Sequence, residues 1–320
     1  MKASPLGRTR VEVSTLGFGG APIGNLFSAI DDQTAQSTVD AAWGGGVRYF
    51  DTAPHYGLGL SERRLGSALA GRPRDEYVVS TKVGRLLVSN PTPSGSDLAA
   101  GFAVRDDLTR EYDYTRDGVR RSLDDSLVRL GLDRVDIVYV HDPEHHMDIA
   151  ISQAIPALVQ LRDEGVVGAV GAGMNYVDPL LRFANESDID VVMAAGRWTL
   201  LDRSAAPLLA VCQQRGISVI AAAPFNSGLL AQTWPPDDAQ YNYGPVPAAI
   251  LARARAAARI CGAYGATLPH AAMQFPLRHP AVSAVVAGMR STAQVAQDLT
   301  WATSGLPAGL LAALEAEMSA

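Results

Sequence analysis

The feature that most constrains the fold is a regular alternation of short, β-branched apolar runs with longer amphipathic stretches. The apolar runs cover residues 16–18, 49–51, 78–82, 135–140, 167–172, 191–195, 218–222 and 284–287. Such near-continuous apolar runs are typical of parallel strands that are covered on both faces. Eight strands, each followed by at least one helix, predict an α/β protein, either a barrel or a doubly wound sheet.

The clearest helical pattern covers residues 115–130. Val119, Leu123, Leu127 and Leu130 recur at spacings of four, four and three, so they share one helical face. Thr115 is suited to cap the N-terminus of this helix, and Gly131 is suited to end it.

Composition narrows the class of protein. The chain has 320 residues, of which 48% are hydrophobic and 19% are charged, and no linker-like shift divides it, so residues 1–320 are predicted to form one domain. The net charge of −6 comes without a basic run, which argues against a nucleic-acid partner. Two cysteines, Cys212 and Cys261, are too few and too far apart for a disulfide framework or a zinc site, so no metal is expected and both thiols are predicted to be buried.

Targeting and membrane segments are not expected. The N-terminus lacks the continuous apolar core of a signal peptide, and no stretch of ~20 apolar residues has the flanks of a membrane span. The sequence therefore predicts a cytoplasmic protein without a membrane partner. Its oligomeric state is not readable from the sequence.

Three segments depart from the strand–helix repeat. Residues 8–13 precede the first strand, and we expect them to form a small hairpin that closes the bottom of a barrel. Residues 84–114 and 226–247 are long connections that follow the C-terminal ends of strands. Active sites of barrels lie at that end, and connections of this length are usually functional or mobile.

Ionisable side chains end three consecutive predicted strands. Asp51, Lys82 and His141 close strands 2, 3 and 4, and Tyr56 follows Asp51 in the next loop. Taken singly, each has an ordinary structural interpretation, as a turn or cap residue, a solvated charge at the rim, or a hydrogen-bonded histidine. Together they combine a proton donor, a cation to tune it, an anion to hold the cation and a neutral hydrogen-bond donor.

This combination suits the interconversion of a carbonyl and an alcohol. A tyrosine hydroxyl titrates near ~10, and a neighbouring ammonium from Lys82 is expected to lower that pKa. Asp51 would keep Lys82 charged, and His141 would donate a hydrogen bond to a carbonyl oxygen. No side chain can supply a hydride, so a redox cofactor is implied.

The local sequences around these residues resemble the aldo-keto reductase superfamily. The segments are Tyr-Phe-Asp-Thr-Ala-Pro-His-Tyr-Gly at 49–57, Ser-Thr-Lys-Val-Gly at 80–84 and Val-Tyr-Val-His at 138–141, and the resemblance spans nearly the whole chain. It implies a (β/α)₈ TIM barrel with long loops at its C-terminal face, a nicotinamide cofactor, and a catalytic tetrad of Asp51, Tyr56, Lys82 and His141.

The resemblance also implies a set of cofactor-binding residues. These are Gly19, Gly20, Asn175, Phe225, Ser227, Gly228, Leu229, Gly288, Arg290, Ser291, Gln294 and Asp298. The segment 224–230 resembles the loop that folds over the pyrophosphate, and 288–298 resembles the segment after strand 8, where a helix N-terminus favours a phosphate.

Several positions depart from the family pattern. Met174 replaces a serine, Ala195 replaces a glutamine, and Ala222 stands where an aromatic residue usually stacks on the nicotinamide, a role for which Trp198 or Phe225 can compensate. Arg290 is suited to a 2′-phosphate and so to NADP. Gln294 stands in place of a second arginine and Asp298 adds negative charge, so the balance between NAD and NADP is expected to favour NAD slightly.

Finer details resemble the aldose 1-dehydrogenase branch, which includes D-threo-aldose, L-fucose and pyridoxal 4-dehydrogenases. The segments lie at 55–66, 141–143, 171–175, 196–202 and 223–228. This implies oxidation of a sugar such as L-fucose or D-arabinose at C1 to the lactone, with Tyr56 acting as base. His55, Trp198 and Asn226 are the expected substrate-binding residues, although polar residues at the rim are explained equally well as caps and ion-pair partners. The alternatives are a pyridoxal 4-dehydrogenase, a general aldehyde or ketone reductase, and a nucleotide-sensing regulatory subunit of a membrane channel.

Overall fold

A computed structural model describes residues 1–319 of the chain, and within them eight parallel strands form a closed barrel. The strands pair in chain order, and the eighth closes the barrel against the first. Barrel strands 1 to 8 are Leu16–Gly19, Tyr49–Asp51, Val78–Val83, Ile137–His141, Ala169–Met174, Val191–Ala195, Ser218–Ala222 and Val282–Gly288. The predicted (β/α)₈ barrel is confirmed, and the predicted and observed strands differ only at their ends.

Side chains of the barrel strands are buried on both faces of the sheet. Tyr49, Tyr139, Met193 and Ile220 pack together in one apolar cluster inside the barrel. Alternate residues, such as Phe50, belong to a larger cluster shared with the surrounding helices. Burial on both faces explains why the strands read as continuous apolar runs rather than as alternating ones.

Helices surround the barrel and connect its strands. They are Asp32–Gly44, Leu60–Leu69, Arg116–Leu130, Met147–Ile149, Ile155–Asp163, Val177–Glu186, Ala206–Arg215, Ala248–Ala263, Leu268–Gln274, Thr292–Thr303 and Leu310–Ser319, with a π-helical turn at Ala150–Ala154. The helix Arg116–Leu130 has the predicted ends. Thr115 accepts a hydrogen bond from the amide of Gly118 at 3.0 Å, and Gly131 adopts a left-handed backbone with φ of 64°.

An N-terminal hairpin closes the bottom of the barrel, as expected, but it is wider than predicted. Its strands Ala3–Pro5 and Glu12–Ser14 pair in antiparallel fashion, so the hairpin begins before the predicted segment and its second strand overlaps the end of that segment. Leu6 and Val13 are fully buried in the cluster inside the barrel. These two side chains seal the end of the barrel opposite the candidate site.

Both long connections at the other end are folded. Residues 84–114 form an antiparallel hairpin of Arg85–Ser89 with Leu108–Tyr112. In residues 226–247, Gln240–Tyr241 pairs with Gly244–Pro245. Both connections therefore form ordered structure around the C-terminal end of the barrel.

Two further expectations concern thiols and membranes. Cys212 and Cys261 are both buried and unpaired in the part of the chain that the structure describes. Among the helices within residues 1–319, none is both long and apolar enough to cross a membrane.

Candidate active site

Barrel strands 2 and 3 bring Lys82 and Asp51 into a buried ion pair. The Lys82 ammonium donates to the two Asp51 carboxylate oxygens at 2.8 and 2.6 Å and to the carbonyl oxygen of Thr52 at 3.0 Å. Both residues are 2% exposed. The Ser80 hydroxyl lies 2.7 Å from the same carboxylate, so Asp51 is held from two sides.

Tyr56 lies directly beside this ion pair. The Lys82 nitrogen is 4.7 Å from the centre of the Tyr56 ring, and the His141 ring is edge-on to Tyr56 with 5.9 Å between ring centres. The turn after Tyr56 requires a glycine, because a Cβ on Gly57 would lie 2.1 Å from the carbonyl oxygen of Gly24 and the φ of Gly57 is +63°. The structure therefore brings the four predicted catalytic residues together.

In this arrangement the pKa of Tyr56 is raised overall, so the neighbouring ammonium of Lys82 does not bring it below its usual range. Burial raises the pKa of Tyr56 well above its usual range, and the Asp51 carboxylate raises that pKa further. Because Asp51 matches the charge of Lys82 at close range, the ammonium does not offset the burial. The neutral hydroxyl is the resting form of Tyr56.

His141 is held as a neutral imidazole by its surroundings. Burial and the nearby guanidinium of Arg85 hold the pKa of His141 well below its usual range. The hydroxyl of Tyr114 donates to the backbone carbonyl of His141 at 2.7 Å, which fixes the end of barrel strand 4. A neutral imidazole fits the predicted role of a hydrogen-bond donor.

A cavity of about 730 Å³ opens above these four residues. Gly19, Gly20 and His55 line it at the barrel rim, and Phe102 lines it from the connection 84–114. The predicted substrate residue His55 is therefore in this cavity, which we call the catalytic cavity.

A second cavity of about 630 Å³ adjoins the catalytic cavity. Most of the predicted cofactor residues line it, namely Asn175, Phe225, Ser227, Gly228, Gly288, Arg290, Gln294 and Asp298. We call it the cofactor cavity. Phe27 and Tyr243 line both cavities, and their ring centres are 6.2 Å apart.

The residues of the cofactor cavity fit a dinucleotide. Arg290 lines the cavity beside the N-terminus of helix Thr292–Thr303, a combination that favours phosphate. The Asn226 Oδ1 atom is buried and has no hydrogen-bond partner among residues 1–319, as expected for an acceptor meant for a ligand. Asp298 is 3% exposed, and burial raises its pKa to about 7.

The structure does not bring four predicted residues to the places expected of them. Trp198 packs against Phe275, with ring centres 5.5 Å apart, and lines neither cavity. Asn226 lines the cofactor cavity rather than the catalytic one. Leu229 is fully buried in an apolar cluster, and the Ser291 side chain caps helix Thr292–Thr303 by accepting from the amide of Gln294.

Sequence reasoning missed several residues of the site. Asp97 and Arg110 hold His55 from the connection 84–114, and Tyr243 reaches the site from the connection 226–247. The length of the two connections was the available signal, but it did not single out these side chains.

Comparison with known proteins shows which protein family the chain resembles. The model of the aldo/keto reductase family matches residues 15–314. D-threo-aldose 1-dehydrogenase of a Pseudomonas species is 49% identical over 94% of this chain and 93% of its own, and pyridoxal 4-dehydrogenase of Microbacterium luteolum is 38% identical over the same shares. An aldo-keto reductase from Bacillus halodurans has the same fold, with a TM-score of 0.76, 24% identity and coverage of 100% of this chain and 95% of its own.

The barrel and its matched family model define an oxidoreductase that uses a nicotinamide cofactor. The chain belongs to the aldo/keto reductase family.

Proposed function

We propose that this enzyme is an aldose 1-dehydrogenase that oxidises a sugar such as L-fucose or D-arabinose at C1 to the lactone. The observation that carries the proposal is the position of the buried Lys82–Asp51 pair beneath Tyr56, at the floor of a cavity that also presents His55 and His141. The 49% identity to a D-threo-aldose 1-dehydrogenase supports the choice of substrate class.

In this proposal the Tyr56 hydroxyl first loses its proton to solvent, and the phenolate then accepts the proton of the C1 hydroxyl. Asp51 holds the Lys82 ammonium in place, and the charge of Lys82 stabilises the phenolate that forms when Tyr56 gives up its own proton. The neutral His141 orients the oxygen on C1 by a hydrogen bond. A bound nicotinamide cofactor would supply the acceptor for the hydride that leaves C1.

The cofactor cavity supports a slight preference for NAD over NADP. Arg290 is the guanidinium available to a 2′-phosphate in this cavity, and its side chain already donates to the hydroxyl of Ser28 at 2.6 Å. The carboxyl of Asp298 lines the same cavity, and its ionised form would repel a further phosphate. We therefore propose NAD as the preferred cofactor, held by the residues that line this cavity.

The polar lining of the catalytic cavity favours a hydroxylated substrate. His55 and Asp142 face this cavity, and burial raises the pKa of Asp142 to about 6. The N–H of a neutral imidazole can donate a hydrogen bond to a sugar hydroxyl, and a carboxylate can accept one from a sugar hydroxyl.

The proposal is tested by a spectrophotometric screen of purified enzyme. L-fucose, D-arabinose, other aldoses, pyridoxal and aromatic aldehydes are each supplied with NAD(H) and NADP(H). Reduced cofactor is expected with the first two sugars. Activity with pyridoxal alone would instead support the second candidate, which the 38% identity to a pyridoxal 4-dehydrogenase favours. Activity limited to the reduction of aromatic aldehydes would contradict both.

A further inference from the structure

The imidazole of His55 is locked by an ion pair that approaches it from outside the barrel. The Arg110 Nε atom lies 2.6 Å from Nδ1 of His55, and another nitrogen of Arg110 donates to the backbone carbonyl of His55 at 3.0 Å. The same guanidinium makes two hydrogen bonds to the carboxylate of Asp97, at 2.7 and 2.6 Å. Both side chains of this pair are only 10% exposed.

The short contact between Arg110 and His55 determines which nitrogen of the ring carries the proton. A guanidinium has only donors and is not deprotonated in proteins, so Nε of Arg110 must donate to His55. Nδ1 can accept that hydrogen bond only if it is unprotonated. A neutral ring then carries its proton on Nε2.

The surroundings of His55 keep the imidazole neutral and prevent the ring from flipping by a half turn. Burial, followed by the charges of Arg85, Arg110 and Lys82, lowers the pKa of His55 to about 2. The ring packs edge-on against Phe102 and against His141, with ring centres 5.1 and 5.7 Å apart. Tyr56 lies on a further side, at 6.2 Å between ring centres.

The other nitrogen of the ring is unused. Nε2 of His55 has no hydrogen-bond partner within residues 1–319, and His55 lines the catalytic cavity. A fixed N–H group with no protein partner is suited to donate to a ligand oxygen.

We propose that Arg110, itself held by Asp97, is a positioning residue that fixes His55 as the Nε2–H tautomer, so that His55 donates a hydrogen bond to a hydroxyl or ring oxygen of the substrate. The part that concerns the substrate rests on the proposed function. The tautomer itself does not, because it depends only on contacts within the protein.

The first test is the ¹⁵N spectrum of the histidine-labelled full chain, without substrate. The His55 signals are assigned by their loss in a His55→Gln variant. Nitrogen shifts of an Nε2–H tautomer between about pH 6 and pH 9 are expected in the wild-type protein. Protonation at Nδ1, or at both nitrogens at neutral pH, would overturn the proposal, and this measurement needs no variant of Arg110.

The second test separates the substrate contact from a purely structural role. A glutamine amide can replace an Nε2–H donor, whereas alanine cannot, so His55→Ala should raise the KM of the aldose about tenfold, the loss of one hydrogen bond. His55→Gln should keep the KM within about threefold, and both variants should keep most of kcat. Equal KM values in the two variants would overturn the proposal.

Arg110→Gln, with Arg105→Gln as its matched control, completes the test. Arg105 lies in the same connection, but its side chain is exposed and pairs only with Asp107 among the described residues. Because a glutamine amide can either donate or accept, Arg110→Gln should give mixed tautomers at His55 and a raised KM, whereas Arg105→Gln should change neither. If no aldose is turned over at all, the proposed function fails, and the tautomer measurement still decides the role of Arg110.

Discussion

The Lys82 ammonium donates to both carboxylate oxygens of Asp51, at 2.8 and 2.6 Å. A third hydrogen bond goes to the carbonyl of Thr52, and an ammonium has only three donors. Lys82 therefore acts on Tyr56 through its charge rather than by donating a hydrogen bond to it. Asp51 in turn controls how much of that charge Tyr56 experiences.

Replacing Asp51 with asparagine tests this control. Since Asp51 raises the pKa of Tyr56, its loss should lower that pKa. The rise of the oxidation rate with pH should then move to lower pH in Asp51→Asn. The plateau kcat should fall by about tenfold or more, because Lys82 loses the charge that holds it. A pH–rate profile of both proteins gives the result, and an unchanged profile would mean that Asp51 is only structural.

The wild-type pH profile should itself reflect the buried hydroxyl. The pKa of Tyr56 lies well above its usual range, so the phenolate that oxidation requires becomes more abundant as pH rises. The kcat for oxidation should therefore climb from pH 7 to pH 10, whereas the reduction of an aldehyde, which uses the neutral hydroxyl, should not. Oxidation that reaches a plateau below pH 7 would contradict the assignment of Tyr56 as the base.

Removing the Tyr56 hydroxyl should abolish turnover without removing the cofactor. Tyr56→Phe keeps the ring that packs beside Lys82 and His141 but lacks the proton-transfer group. We expect kcat to fall by about 10²–10⁴-fold, with the Kd of NAD measured by fluorescence quenching changed by less than about threefold. The control is Tyr49→Phe, a buried tyrosine that lines neither cavity, which should retain most of the activity.

The carboxyl of Asp298 should make cofactor choice depend on pH. Its pKa is raised to about 7 by burial, so it is mostly neutral at pH 6 and mostly ionised at pH 8. The ratio of the KM for NADP to the KM for NAD should rise several-fold over this interval.

The same ratio in Asp298→Asn provides the comparison. The 2′-phosphate titrates equally in both proteins, so only the difference between them reports on Asp298. The ratio should be lower in the variant at pH 8 and similar in the two proteins at pH 6. A pH dependence that is the same in both would exclude Asp298 from cofactor choice.

The fold could be predicted because its determinants are local and repeated. Burial on both faces produces apolar runs, and the runs at 49–51, 191–195 and 218–222 coincide with the observed strands. Strand ends were less certain where polar or small residues continue the strand, as at His141 and Gly288. The N-terminal hairpin was underestimated because its strands are only three residues long and partly exposed.

The site could be predicted only where a residue is fixed by the strand that carries it. Asp51 and His141 end barrel strands and Lys82 lies one residue before the end of its strand, so their convergence follows from the topology. The ion pair of Arg110 with Asp97 depends on how a long connection folds back over the barrel. The packing of Trp198 against Phe275 could not be read from the sequence either, because it depends on where the loop after barrel strand 6 places the indole.

The most direct test of the central claim uses L-fucose labelled with deuterium at C1, incubated with the enzyme and NAD⁺. If the enzyme is an aldose 1-dehydrogenase, the deuterium appears on the reduced nicotinamide, the lactone forms in an equal amount, and Tyr56→Phe forms neither. Deuterium that remains on the sugar, with no reduced cofactor from any aldose, would contradict the account.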